Sequence, residues 1–182
     1  MSQNVVAEIK SRIGLFPNFP KSGVEFKDIF PLFQSPSLFH KVVELFEENI
    51  KENHQEVKID AVLGLDARGF LFGPLLASKL NTSFVPVRKK GKLPGHVVST
   101  SYALEYGEDS IEMQTGSLKE GDNVVIVDDL LATGGTMAAA CKLVKQLKLN
   151  VVKCLVVIEL TGLKGREKLD GTSVYSVIQY EF

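Results

Sequence analysis

The stretch Val124-Val125-Ile126-Val127-Asp128-Asp129-Leu130-Leu131-Ala132-Thr133-Gly134-Gly135-Thr136 decides how the rest of the chain is read. Its opening run of apolar, mostly β-branched residues is the pattern of a strand buried on both faces, which a parallel sheet covered by helices requires. Two carboxylates follow, Asp128 and Asp129. Then Ala132-Thr133-Gly134-Gly135-Thr136 offers paired glycines that let the backbone turn tightly and gather N–H groups into one concavity, with two hydroxyls beside them. Met137, Ala140, Cys141, Val144 and Leu147 recur at helical spacing while Lys142, Lys145 and Lys148 fall elsewhere, so a helix starts at this cradle. Its N-terminal N–H groups and dipole add to the attraction for an anion, at the carboxyl end of a strand where open α/β sheets place their ligands. The turn is not Gly-x-x-x-x-Gly-Lys-Ser/Thr, which excludes an ATPase P-loop.

Two acids beside an anion cradle conflict if the ligand is phosphate alone, because like charges repel. Vicinal ribose hydroxyls donating to Asp128 and Asp129, with a divalent cation nearby, resolve the conflict. The ligand so implied is a phosphorylated sugar. With these residues the stretch resembles the signature of the type I phosphoribosyltransferases, which bind 5-phosphoribosyl 1-pyrophosphate.

The 182 residues suit one domain with its own core. A net charge of −1 with dispersed Lys and Arg speaks against a long nucleic-acid or membrane partner. There is neither a bilayer-spanning apolar run nor a signal-peptide core, so a cytoplasmic location is expected. Cys141 and Cys154 fall in apolar positions of a helix and a strand, as buried reduced thiols do. His40, His54 and His96 lack ligand spacing and receive no catalytic role.

Taken from the start, Val6, Ile9 and Ile13 suggest a short amphipathic helix near Ser2 to Ile13, or an arm that packs on a neighbour. Phe16 to Ile29, broken by Pro17, Pro20 and Gly23, reads as a structured loop. Its phenylalanines either pack into the core or form a hood that lays Phe26 against a flat base. Ser35 as N-cap and Pro36 at the first helical position start a helix to about Asn53. Ile59 to Leu65 is a buried strand that runs into Asp66-Ala67-Arg68-Gly69 and then a helix over Phe70 to Leu80. That second strand-to-helix turn suits a diphosphate, through amide donors and a forked guanidinium, unless Arg68 and Asp66 merely form a surface pair. A strand over Phe84 to Val87 leads to Arg88-Lys89-Lys90-Gly91-Lys92. Arg88 and Lys89 are assigned to pyrophosphate, with Lys90 and Lys92 left open. From His96 to about Ser117 the polar alternation suggests a mobile ribbon able to act as a lid. Val151 to Leu160 is another buried strand, and Val174 to Ile178 an edge or closing one.

The family resemblance covers nearly the whole chain. Its motifs are Phe-Pro-Asn-Phe-Pro at 16–20, Gly-Leu-Asp-Ala-Arg-Gly-Phe-Leu-Phe-Gly-Pro at 64–74, Arg-Lys-Lys-Gly-Lys-Leu-Pro-Gly at 88–95, Leu-Glu-Tyr-Gly at 104–107, the organising stretch, and Leu-Lys-Gly-Arg-Glu-Lys-Leu at 163–169. These point to the members of the family that use adenine. The resemblance implies the type I α/β fold over residues 1–182, a mostly parallel twisted sheet flanked by helices. It also implies an N-terminal arm and base-binding hood over 1–35 and a flexible lid over 95–117.

By the same resemblance Val24, Glu25, Phe26, Lys27 and Leu160 bind adenine, with Phe26 and Leu160 sandwiching the base. Asp66, Ala67, Arg68 and Gly69 with Arg88 and Lys89 hold pyrophosphate, and Ala132 to Thr136 hold the 5′-phosphate. Glu105 joins Asp128 and Asp129 as catalytic, with Tyr106 in the lid. Glu25 and Lys27 stand where many relatives carry an apolar residue and an Arg. The implied partners are adenine, 5-phosphoribosyl 1-pyrophosphate, AMP and pyrophosphate, with Mg²⁺ held mainly by substrate and water and no direct protein ligand, in a homodimer. Two rivals stay open: a sugar-phosphate sensor without catalysis, and a transferase for a 6-oxopurine or a pyrimidine.

Overall fold

A computed structural model describes residues 2–103 and 108–181. The chain resolves into two compact units, Met1–Leu45 and Phe46–Phe182.

In the first unit, helix α1 (Ser2–Ser11) precedes strands β1 (Gly14–Pro17) and β2 (Glu25–Asp28), which pair antiparallel with Phe16 opposite Phe26. The expected structured loop is therefore a small two-stranded ribbon. Its strands are only four residues long and β1 ends in proline, too short for alternation to show in the sequence. The connection is closed by Phe19 N–H on Val24 O (3.1 Å) and Gly23 N–H on the Asn18 side chain (2.9 Å). The Phe19 ring meets Phe26 edge to face at 5.2 Å. Helix α2 (Pro36–Asn53) begins as expected, with Ser35 extended and its carbonyl accepting from Phe39. The Ser35 hydroxyl faces Ser37.

The second unit is a seven-stranded sheet in the order β5-β6-β4-β3-β7-β8-β9. Strands β3 (Ala61–Leu65), β4 (Ser83–Lys89), β7 (Asn123–Leu131), β8 (Asn150–Leu160) and β9 (Val174–Tyr180) are mutually parallel. The antiparallel β5 (Val97–Ala103) and β6 (Glu108–Gln114) extend the β4 edge. These two form the stem of the sequence-predicted ribbon.

Crossovers are made by α3 (Gly69–Lys79), which packs on β3 and β7, and by α4 (Gly135–Gln146). One face of the sheet, with Ala61, Leu63, Val124, Ile126 and Val156, is covered by Met137, Ala140, Cys141 and Val144 of α4. The alternate residues Val62, Val125, Val127, Leu155 and Val157 are equally buried, so the central strands have no wet side. Cys141 and Cys154 are free and buried, with sulfurs 3.8 Å apart. None of the helices among the described residues is long and apolar enough to cross a membrane.

Ile126 is fully buried between β3 and β8, opposite Leu63 and Cys154. Ile126→Val removes one buried methylene and should lower unfolding free energy by about 0.5–1.5 kcal/mol. Urea denaturation with an unchanged m-value checks this.

Candidate active site

Strand β7 does not stop at Val127. It runs through both acids to Leu131, with Asp128 opposite Val156 and Leu130 opposite Ile158 of β8. Ladder pairing on a central strand thus holds Asp128 and Asp129 on rigid backbone. Asp129 is 5% exposed. After the strand, Ala132 to Gly134 turn, with Gly134 in the left-handed region at φ 80° as the cap of α4. Only glycine adopts that conformation without penalty. A methyl there would also lie 2.3 Å from the carbonyl oxygen of Gly165. The helix starting at Gly135 leaves its first backbone N–H groups without intrahelical acceptors, facing the concavity.

The second turn joins β3 to α3. Asp66 N–H donates to Val87 O (2.9 Å), and Arg68 and Gly69 lead into the helix. Gly69 is placed against β7 so closely that a methyl would sit 2.4 Å from Val127 O. This is what brings the two turns side by side. Arg68 donates from Nε to Asp129 at 2.5 Å, a charge-assisted bond that spans the two motifs.

Together they line a cleft of about 480 Å³ at the carboxyl ends of β3 and β7. Asp66, Ala67, Arg68, Lys89, Asp128, Asp129 and residues 132–136 all contribute. Arg88 does not line it. Successive strand residues face opposite sides, so Lys89 reaches the cleft while Arg88 holds Asp66 (3.0 Å), donates to Lys92 O and lies over the Phe70 ring. The backbone N–H groups of Lys92 and Leu93 bond to the buried Glu112 carboxylate, each at 3.0 Å.

Tyr102 and Asp109 also line the cleft, and sequence reasoning did not single them out. The Tyr102 hydroxyl donates to Asp109 (3.3 Å) and lies 3.4 Å from the Thr136 hydroxyl, while Lys89 pairs with Asp109 at 2.9 Å. The hydrogen bond from Lys89 holds the Asp109 carboxyl below the usual range, and burial raises the Tyr102 phenol. Neither residue belongs to a strand-to-helix turn. Only the β5–β6 pairing, with Tyr102 opposite Asp109, delivers them.

In the first unit, Lys27 is 8% exposed and pairs with Glu25 at 2.5 Å. The two departures from the family pattern therefore meet each other. Leu160, the last residue of β8, is 8% exposed. Glu105 and Tyr106 lie outside the described residues.

Burial, and then the neighbouring charge of Asp129, holds the Asp128 carboxyl well above the usual carboxylate range. An acid with a raised folded-state pKa favours the fold below its unfolded pKa and loses that contribution as pH rises through the raised value. Asp128→Asn should therefore raise the melting temperature of the ligand-free protein at neutral pH, with the gain vanishing below about pH 4. A neutral-pH melting temperature at or below that of the unsubstituted protein would contradict this.

As to a metal, no cluster of three or more His, Cys, Asp or Glu among the described residues is placed to hold one. Four carboxylates line the cleft, Asp66, Asp109, Asp128 and Asp129, hard oxygen groups compatible with Mg²⁺ that brings most of its ligands from phosphate and water.

Residues 32–181 match the phosphoribosyl transferase domain family. The chain is 51% identical over 181 residues to the adenine phosphoribosyltransferase of Cricetulus griseus, covering 100% of both. The crystal structure of adenine phosphoribosyltransferase from Saccharomyces cerevisiae, complexed with D-2,5-dideoxy-2,5-imino-altritol 1,6-bisphosphate and adenine, aligns with TM-score 0.94 and 46% identity over 97% of this chain and 99% of that one. That of Trypanosoma brucei, in complex with AMP, pyrophosphate and ribose-5-phosphate, aligns with TM-score 0.86 and 27% identity over 96% of this chain and 79% of that one. The chain therefore belongs to the phosphoribosyltransferase family, and within it to the adenine phosphoribosyltransferases.

Proposed function

We propose that the chain transfers the 5-phosphoribosyl group of 5-phosphoribosyl 1-pyrophosphate to N9 of adenine, giving AMP and pyrophosphate in purine salvage. One observation carries the reading: a single cleft holds a helix-capping anion turn, a carboxylate pair and an arginine at a second strand-to-helix turn. Those three features match the 5′-phosphate, the ribose hydroxyls and the diphosphate of the donor, in that order.

In this reading the N–H groups and hydroxyls of residues 132–136 hold the 5′-phosphate. Arg68 and Lys89, with the amides of residues 67–69, take the diphosphate, and Arg88 supports it by fixing Asp66. The diphosphate competes with Asp129 for Arg68, so donor binding releases Asp129 towards the ribose hydroxyls. Asp128 and Asp129 then hold the ribose hydroxyls, and the net negative charge of the pair lies beside the anomeric carbon as positive charge builds there, where preorganised electrostatics count most. Purine N9 attacks as the diphosphate departs, with inversion. Bound Mg²⁺ supplies neutralisation of charge on the leaving diphosphate.

The remaining assignments belong to the same reading. Val24 to Lys27 and, separately, Leu160 contact adenine. Glu105 exchanges a proton with the purine imidazole edge from a lid over 95–117 that includes Tyr106. Residues 1–35 serve as arm and hood of one phosphoribosyltransferase domain spanning 1–182. The protein works in the cytoplasm as a homodimer.

Pyrophosphate release tests the reading when each free base is mixed with the sugar diphosphate and Mg²⁺. Release with adenine is expected. Release only with hypoxanthine or guanine would favour a 6-oxopurine enzyme, and no release with any base a sensor. Glu105→Gln should lower turnover with adenine by about 10²–10⁴-fold, the usual size of general acid–base help. Full turnover would remove Glu105 from the mechanism.

A further inference from the structure

The segment Leu163-Lys164-Gly165-Arg166-Glu167-Lys168-Leu169 lines no part of the cleft, yet it touches the back of the phosphate turn. A methyl on Gly165 would sit 2.3 Å from Ala132 O and 3.1 Å from Gly134 N, and the Gly165 carbonyl in turn occupies the space a Gly134 side chain would need. The two backbones are in direct contact. The arrangement carries a local cost, because the 3₁₀ turn Gly165–Leu169 is entered and left through non-glycine residues in the left-handed region, Lys164 (φ 53°) and Asp170 (φ 48°).

Leu169 anchors the far end of the turn in the core beneath α4, where it is 1% exposed, and the end next to Gly165 is held by a fork of two parallel bonds. Arg166 donates from Nε and Nη2 to the two oxygens of Glu159, at 2.5 and 2.6 Å. Its Nη1 donates to Val174 O at 2.9 Å. Glu159 is 5% exposed near the end of β8, and also accepts from Ser176 (2.7 Å) and Gln179 (3.1 Å) of β9. Every partner is therefore on sheet backbone or anchored to it.

We propose that Arg166 and Glu159 are positioning residues for donor binding: their fork fixes Gly165 against Ala132 and Gly134 and so sets the shape of the 5′-phosphate turn. This rests on residues 132–136 being the 5′-phosphate site. A lysine cannot replace the arginine fully, since a point charge makes no planar fork.

The test measures binding of ribose 5-phosphate, which engages the turn, and of Mg²⁺-pyrophosphate, which engages the Arg68 side, by calorimetry on the whole protein. Arg166→Ala should weaken ribose 5-phosphate by about tenfold or more, corresponding to one lost charge-assisted bond, and leave pyrophosphate within about twofold. Arg166→Lys should fall between the two and keeps the test open if the alanine variant does not fold. In turnover, the KM for the sugar diphosphate should rise while kcat at saturation changes less. Equal weakening of both ligands, or a lowered melting temperature with both affinities intact, would overturn the positioning role. Ribose 5-phosphate binding that Thr133→Val and Gly134→Ala leave untouched would instead overturn the assignment of the site itself.

Discussion

Asp129→Asn should cut kcat by about 10²–10³-fold, the cost of losing one preorganised group aimed at charge that develops in the transition state. Asp129 is almost fully buried at the end of a central strand, so no water replaces its charge. Its effect on donor affinity should be much smaller, within about tenfold, because two consequences oppose each other. The amide loses strength as an acceptor for the ribose hydroxyls. At the same time the Arg68 guanidinium is released from its 2.5 Å pair and becomes fully available to the diphosphate. Steady-state kinetics with varied sugar diphosphate separates the two. A kcat within tenfold of the unsubstituted protein, or a loss confined to KM, would show that Asp129 serves only to park Arg68.

The second large effect is expected at Gly134. Gly134→Ala places a methyl 2.3 Å from Gly165 O in a left-handed backbone, so the turn must open or the Gly165 segment must retreat. The conformation alone costs about 1–2 kcal/mol for a residue with Cβ. Displacing the amides also forfeits charge-assisted bonds worth about 1.5–3 kcal/mol each to the 5′-phosphate. Together these predict a kcat/KM for the sugar diphosphate lower by at least about 10²-fold. The fold should survive, since α4 is anchored separately by Met137, Ala140 and Val144. Kinetics combined with circular dichroism decide it. Unchanged kcat/KM in a folded variant would mean that the turn does not grip the donor.

Much of this molecule follows from local pattern. The buried run at Val124–Val127, the glycines after it and the helical spacing beyond are each short-range, and so are Asp66 to Gly69 after Ile59–Leu65. Strand-to-helix turns keep their chemistry in consecutive residues, and parallel strands bring their carboxyl ends to one side of the sheet. The two turns and the acids are therefore legible in the sequence. The apolar run is shorter than β7, because Asp128 and Asp129 end the run without ending the ladder. Likewise β1 and β2, four residues each, are too brief for any periodicity to register.

Chain order by itself determined that an anion cradle, a carboxylate pair and a basic turn exist here, since those signals lie within a few residues of one another. Only the tertiary structure decided which groups meet. It paired Arg68 with Asp129 across 61 positions of chain, sent Lys89 into the cleft and Arg88 behind it, brought in Tyr102 and Asp109, and set Gly165 against Gly134. The reason is physical: strand register, pleat direction and backbone-to-backbone packing are fixed by partners far along the chain, and no short window of sequence contains them.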